Sequence, residues 1–311
     1  MNAYQKIRDL LYQLPFGVLS HSVEKGEQTI QAHRHPDKRL AAIKALNPGP
    51  IEHLDIGARS GLDSALSPYR GVLSSTLVEG DLAEAERLRH QGYRVVEAIM
   101  AAAPKGRIAL NRTKKPALSS IFLPNGAITD FYAKGSDRFS VVGLEEVETT
   151  SVDAEARKAG IAFDDVKIDV QGAEMEVLAG MEIQRPFHIL AEVSTVQLYK
   201  NQSLFYDIGQ ITYARGYIIC DLLFKRRNGE AFGIRGLSDK CRGLPLHGDA
   251  AFIPDWTRPE GQAVILRDPF RWASVLIMRG YGDMVLGICE GPWLSSGPEI
   301  AKRIRPWLSN K

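Results

Sequence analysis

The chain has 311 residues, 44% of them hydrophobic and 24% charged, and a formal net charge of +2. That length suits one large α/β domain with extensions or two small domains, and the small charge gives no electrostatic case for a nucleic-acid partner. No apolar run approaches the roughly 20 residues that a membrane span needs, and Cys220, Cys241 and Cys289 form no metal-ligand or Cys-x-x-Cys pattern.

Met1 to Leu11 reads as an amphipathic helix without the apolar core and small-residue cleavage site of a secretory signal. With an odd cysteine count, this fits reduced thiols in a cytoplasmic protein. Residues 1–50 read as a helical N-terminal extension that stops at the breaker Asn47-Pro48-Gly49-Pro50. His33, Arg34 and His35 form a small basic group before Pro36, either solvated surface or a rim for an anionic substrate.

From residue 51 short apolar strands alternate with helices. The strands are Ile51 to Ile56, Ser75 to Val78 and Tyr93 to Ile99, with a helix over Leu82 to Gln91. Gly106 to Leu110 and Ser119 to Leu123 suggest a hairpin, and Phe139 to Thr150 reads as further strand. A helix over Val152 to Ala159 precedes the strand Val166 to Val170. After it come a helix from Ala173 to Gly180, the strand His188 to Val193 and a helix from Leu204 to Ala214. Tyr217 to Leu223 and Ala250 to Ile253 complete the strands. Strands separated by helices imply βαβ units and a mainly parallel sheet. The last two, separated by a loop, are expected to pair antiparallel at the edge. The α/β domain is placed at residues 51–257. Residues 258–311 read as a helical C-terminal extension, with helices over Pro269 to Met278 and Pro298 to Leu308.

Ligands of open α/β sheets bind outside the carboxyl ends of the strands, so the strand-to-helix turns carry the functional signal. The first turn is Asp55-Ile56-Gly57-Ala58-Arg59-Ser60-Gly61. Its glycines permit a tight turn and close approach of backbone N–H groups to a ligand. The pattern is DxGxxxG, not the GxGxxG of a dinucleotide site. Glu79 ends the next strand, where an acid can accept hydrogen bonds from two ribose hydroxyls of any nucleoside cofactor. Asp81 reads as the N-cap of the following helix, with Glu84 three residues on. Glu97 and Ala98 follow the third strand, near the place of an adenine.

Residues 163–181 are the most informative stretch. Asp169 sits near a strand end and Glu174 in the first turn of the next helix, and Glu192 ends the strand after that. These three are the candidate catalytic residues. Their type fits a general base, an acceptor that orients a hydroxyl, or ligands of a hard divalent cation such as magnesium, held by Asp169 and Glu192. Helix N-terminal charge is the plainer reading of Glu174. Ser119, Ser120, Tyr199 and Lys200 are candidate substrate contacts, with loop capping and surface exposure as alternatives; His247, read as a loop residue that could enter the cleft, is a further one, and His188 reads as structural.

Several segments together resemble the FkbM family of S-adenosylmethionine-dependent O-methyltransferases. Lys167-Ile168-Asp169-Val170-Gln171-Gly172-Ala173-Glu174 resembles the family signature. Leu54 to Gly61 is similar to its first cofactor loop, and Leu77 to Asp81 to its ribose-binding acid, with Gly80 where the family often has proline. Leu118 to Asn125 resembles its Ser-Ser segment. Glu192 with Leu198 to Phe205 resembles its acid and Tyr-Lys-x-Gln-x-Leu-Phe run, and Asp249 to Phe252 its last strand. The likeness implies a Rossmann-like class I methyltransferase sheet and S-adenosylmethionine as donor. Asp55, Gly57, Ala58, Gly61, Glu79 and Ala98 are then its binding residues, and the acceptor is a small molecule or glycan hydroxyl. The alternatives are an NAD-linked oxidoreductase or epimerase, which lacks its GxGxxG here, and a non-catalytic nucleoside-binding or scaffold member of the same fold.

Overall fold

The computed structural model describes residues 35–132, 137–227 and 244–308. The expected helix at the N-terminus, His33, Arg34 and Cys241 lie outside the described residues. The first described helix, α1 (Pro36–Leu46), ends at Asn47, whose left-handed backbone turns its N–H back onto Ile43 O and Lys44 O before the proline-rich breaker.

Among the described residues, strands β1 (Ile51–Ile56), β2 (Leu73–Val78), β3 (Arg94–Val96), β7 (Asp165–Ile168), β8 (His188–Ser194), β9 (Tyr217–Arg227) and β10 (Leu244–Pro254) form one sheet. Its order is β3-β2-β1-β7-β8-β10-β9. All pairs from β3 to β8 are parallel. The expected mainly parallel α/β sheet is therefore present. The expected antiparallel pair of the last two strands is present at the edge of the sheet. β10 runs antiparallel to both β8 and β9, and β9 holds the edge. The crossover from β8 through the helix Phe205–Ala214 to β9 skips one strand position, and the returning strand fills the gap.

A second, small sheet is built from β4 (Ile99–Met100), β5 (Arg107–Thr113) and β6 (Val141–Thr150). The expected hairpin of Gly106 to Leu110 with Ser119 to Leu123 does not form. β5 pairs with β6, and the main chain of the serine segment meets β5 in the isolated bridge Asn111–Ser120. Asn111 donates its side-chain amide to Ser120 O and Ile121 O, both at 3.1 Å. These bonds hold the segment as an irregular arm between the short helical turn Pro116–Leu118 and the helix α3 (Gly126–Tyr132).

Period-two alternation gives the sheet two different faces. Leu54, Ile56, Val166, Ile168, Ile189 and Ala191 pack on one side beneath α4 (Val152–Ala159), α5 (Glu174–Ala179) and α6 (Phe205–Ala214). Ile51, Phe187 and Ile253 pack on the other side. There they meet α1, α7 (Pro259–Arg267), α8 (Pro269–Arg279), α9 (Gly282–Cys289) and α10 (Gly297–Leu308) around Trp272. α7 and α9 were not expected from the sequence. The second face also carries polar groups. Asp165 is fully buried and meets His53 Nδ1 at 2.6 Å and His188 Nδ1 at 2.8 Å. Arg279 of α8 donates to the same carboxylate from Nε at 2.9 Å and Nη2 at 2.6 Å. A two-pronged guanidinium bond to a buried carboxylate fixes orientation as well as contact, so this cluster sets how the C-terminal helices sit on the sheet. Among the described residues no helix is long and apolar enough to cross a membrane.

Candidate active site

The strand order reverses between β1 and β7, and the carboxyl ends of β1, β2 and β7 open there into a cleft of about 330 Å³. Gly57 has φ 84°, and a Cβ on it would stand 1.8 Å from Asp169 O. Asp169 N in turn donates to Ile56 O at 2.9 Å, so the two turns are pressed together. The Gly57 and Ala58 amides both donate to Val78 O, at 3.0 and 3.1 Å, and the Gly61 amide to Ala58 O at 2.8 Å. Of the loop N–H groups expected to approach a ligand, those of Gly57, Ala58 and Gly61 are therefore taken up within the protein. The amides of Arg59 and Ser60 are the ones in this loop that no main-chain carbonyl of the described residues takes. Gly61 leads into the short 3₁₀ turn Ser64–Tyr69, not into an α-helix.

Asp55 is buried and does not line the cleft. Its Oδ1 accepts from Lys167 Nζ at 2.9 Å, while Oδ2 is buried without a partner. Lys167 lines the cleft instead. Burial acts to lower its pKa, but the charges of Asp55 and Asp169 outweigh burial and hold the ammonium above its ordinary value. Glu79, Ala98, Ile99, Met100 and Leu110 line the neighbouring wall. Glu79 Oε1 accepts from the Asp81 amide at 2.8 Å, and burial pushes its carboxyl above the usual carboxylate range. Asp81 caps α2 (Leu82–His90) as expected. It also binds Arg59 at 2.7 Å and Arg112 at 2.8 Å, which ties β5 to the first loop. Glu97 turns away to pair with exposed Arg89.

At the other end, Gln171 organises the carboxylates. Its backbone is left-handed, with φ 56°. Its Nε2 donates to Asp169 Oδ1 at 2.8 Å and to Glu192 Oε2 at 3.0 Å. Its Oε1 lies 3.1 Å from the Tyr199 hydroxyl, and its main-chain oxygen accepts from Ser120 Oγ at 2.7 Å. Sequence reasoning passed over Gln171 as the middle of a turn; the signal was its place between Asp169 and Gly172. Glu192 Oε1 meets His247 Nδ1 at 3.1 Å, and His247 belongs to β10, not to a loop. Burial and then the Asp169 charge push the Glu192 carboxyl up to about 7.

The remaining candidates divide between cleft and scaffold. Ser119 and Ser120 line the cleft, but their hydroxyls are engaged. Ser119 Oγ accepts from the Thr113 amide at 3.1 Å, and Ser120 Oγ accepts from the Phe122 amide at 3.1 Å. Tyr199 is buried, its hydroxyl 2.9 Å from Leu118 O. Lys200 is exposed beside Leu123 and Thr129 in a separate depression. Asp169, Gly57, Ala58, Gly61, Glu79 and Ala98 therefore share one cleft, whereas Glu174, Glu192 and His247 do not line it. Among the described residues no group of three or more His, Cys, Asp or Glu is arranged to hold a metal ion. The expected magnesium pair, Asp169 and Glu192, is bridged by the Gln171 amide, a donor where a cation would need lone pairs.

Glu174 faces into the turn. Its Oε1 accepts from the amides of Val170 at 3.2 Å and Gly172 at 3.1 Å. Burial first, and then the Glu192 charge, push its carboxyl up to about 8. A folded-state pKa above the unfolded value means that the native protein holds a proton that the unfolded chain releases. That stability is complete below the unfolded pKa and is lost as pH rises through about 8. Glu174→Gln keeps the accepting oxygen and cannot ionise. Unfolding midpoints at pH 6 and pH 9 should therefore fall less with pH in the variant than in the parent; an equal fall in both refutes the assignment.

The family model described as the methyltransferase FkbM domain matches residues 55–219. A comparison with curated proteins returns no match. Similar solved structures include the magnesium protoporphyrin IX methyltransferase of Synechocystis PCC 6803 with bound S-adenosylmethionine, at 9% identity and TM-score 0.35, covering 82% of this chain and 98% of that one. Another is the 1,6-didemethyltoxoflavin-N1-methyltransferase of Burkholderia thailandensis, at 13% identity and TM-score 0.32, covering 81% and 84%. A third is the C-terminal domain of the precorrin-6Y C5,15-methyltransferase of Rhodobacter capsulatus, at 13% identity and TM-score 0.31, covering 72% and 90%.

Proposed function

The chain belongs to the FkbM methyltransferase family, and from that premise we propose that it transfers the methyl group of S-adenosylmethionine to a hydroxyl of a saccharide or secondary metabolite. The supporting observation is the meeting, in one cleft, of the Gly57 turn, Glu79 and the Asp169–Gln171 turn. All of these residues lie within the span that the family model matches.

The residues fit such a cofactor. Glu79 is a buried carboxylate at a strand end, suited to ribose hydroxyls. Ala98, Ile99, Met100 and Leu110 offer an apolar wall to an adenine. Lys167 and the amides of Arg59 and Ser60 suit a carboxylate. Asp55 Oδ2, a buried acceptor without a partner, marks an unmet demand for a donor at the same end of β1.

When bound, the cofactor supplies an electrophilic methyl group on a sulfonium. Asp169 takes the proton of the acceptor hydroxyl on Oδ2, because its Oδ1 is held by Gln171. Lys167 offsets the charge of Asp55 and Asp169 beside the reacting groups. Glu174 keeps the turn that presents Asp169 in shape through its two amide bonds. Glu192, held by Gln171 and His247, fixes the far side of that amide.

Calorimetric titration separates the readings. Saturable binding of S-adenosylmethionine without binding of NAD is expected, followed by methyl transfer to hydroxylated saccharides or metabolites in an acceptor screen. Binding of NAD alone would turn the assignment toward an oxidoreductase. Cofactor binding with transfer only to amines would remove the hydroxyl acceptor.

A further inference from the structure

We propose that Arg185, Arg215 and Arg267 form a second ligand site, specific for a phosphoryl group, at the end of the sheet opposite the cleft. Arg185 precedes β8, Arg215 precedes β9 and Arg267 closes α7, and the three line one depression with Ala214, Ala263 and Val264. These are the amino ends of the strands, so the site stands apart from the methyl-transfer cleft at their carboxyl ends.

The three guanidiniums are locked in place from below. Arg215 Nη1 donates to Leu178 O at 2.6 Å and to Met181 O at 3.2 Å. Arg185 Nη1 donates to the same Met181 O at 3.2 Å and to Gln184 O at 2.9 Å. Arg267 Nη1 donates to Arg185 O at 2.9 Å, and its guanidinium lies 4.6 Å over the Phe187 ring. Each cation thus spends one nitrogen on the main chain. The Nε and Nη2 groups of all three have no partner among the described residues, and none of the three has a carboxylate within ion-pair distance there. Glu260, the acid in the depression, is paired with Arg258 at 3.5 Å.

Capping the carbonyls at the end of α5 accounts for one arginine, not for three. Two guanidiniums that share one carbonyl oxygen repel each other, and that cost persists unless an anion offsets it. Burial and the Arg185 charge both weaken the hold of Arg215 on its proton, while Glu182 and Asp153 act the other way more weakly. Planar forks with free N–H edges are the groups that bind phosphate oxygens in pairs. The ligand is therefore a phosphoryl group, either inorganic phosphate or the phosphate of a small organic ester, whose carbon skeleton would lie against Ala214, Ala263 and Val264 in the same depression.

The test is isothermal titration of the full chain with inorganic phosphate and with glycerol phosphate, at constant ionic strength against chloride. Saturable binding is expected, weakened about tenfold by Arg267→Gln and by Arg185→Gln. S-adenosylmethionine binding should be unchanged in both variants. Tighter binding of the ester identifies an organic phosphate, and equal binding identifies the free ion. Unfolding midpoints in chloride confirm that the variants fold. Absence of saturable binding by the parent, or equal affinity in both variants, overturns the site.

Discussion

Asp169→Asn is expected to lower turnover by about two to four orders of magnitude, the range typical of a removed general base, with S-adenosylmethionine affinity nearly unchanged. The asparagine keeps an Oδ1 for the Gln171 amide, so the bridge to Glu192 survives and the cleft retains its shape. What disappears is the second oxygen's capacity to take a proton. Single-turnover kinetics, paired with calorimetric titration of the cofactor, separate the two effects. Turnover within a few-fold of the parent would show that Asp169 is a structural carboxylate. A loss of cofactor affinity matching the loss of turnover would make it a cofactor ligand. Lys167 enters the same comparison, because its ammonium is held by Asp55 and faces the Asp169 charge. The asparagine variant leaves that ion pair in place, so the measurement reports on Asp169 itself.

Gly57→Ala is expected to destabilise the fold by about 2–5 kcal/mol, combining left-handed strain with overpacking, and to weaken cofactor binding more than tenfold. At φ 84° an alanine is already strained, and its Cβ would meet Asp169 O at 1.8 Å and Asp169 C at 2.8 Å. The obstructing atoms are backbone, and they are held by the Asp169 amide on Ile56 O, so no rotamer change relieves the overlap. Movement of either turn would carry Asp169 or the cofactor loop out of place. Gly92→Ala is the control: its φ is 86°, but nothing stands within 4 Å of the added carbon. Denaturant unfolding of both variants isolates the overlap from the strain. Equal losses would mean that the β1 and β7 turns are not pressed together as described.

Most of the strands and helices were legible because each is a local pattern. β1 reads as a strand because Ile51, Leu54 and Ile56 form a short apolar run before a glycine turn, and α4 runs over the eight residues expected, opened by a Ser151 side-chain cap and closed by left-handed Gly160. The place of the cleft followed from glycine and acid at strand ends. The partnerships within it did not. Asp55 read as a cofactor-binding residue, yet it is buried behind the cleft with its Oδ1 on Lys167; Glu174 looked catalytic, yet it binds the amides of its own turn. Gln171 carried no charge and no titratable proton, so nothing in its chemistry announced that it would tie two carboxylates and a tyrosine together.

The sequence by itself determined the α/β class, the alternation that buries both faces of the sheet, and the residues 167–174 that mark the family. Only the tertiary structure decided that β10 inserts between β8 and β9, that the serine arm is not a strand, and which charges meet. The physical reason is separation along the chain. Asp55 reaches Lys167, and His53 reaches Asp165, across 112 residues; Arg279 reaches Asp165 across 114. Local periodicity tells which face a side chain takes, but a charge finds its partner only when two such faces are brought into register, and that register belongs to the whole sheet.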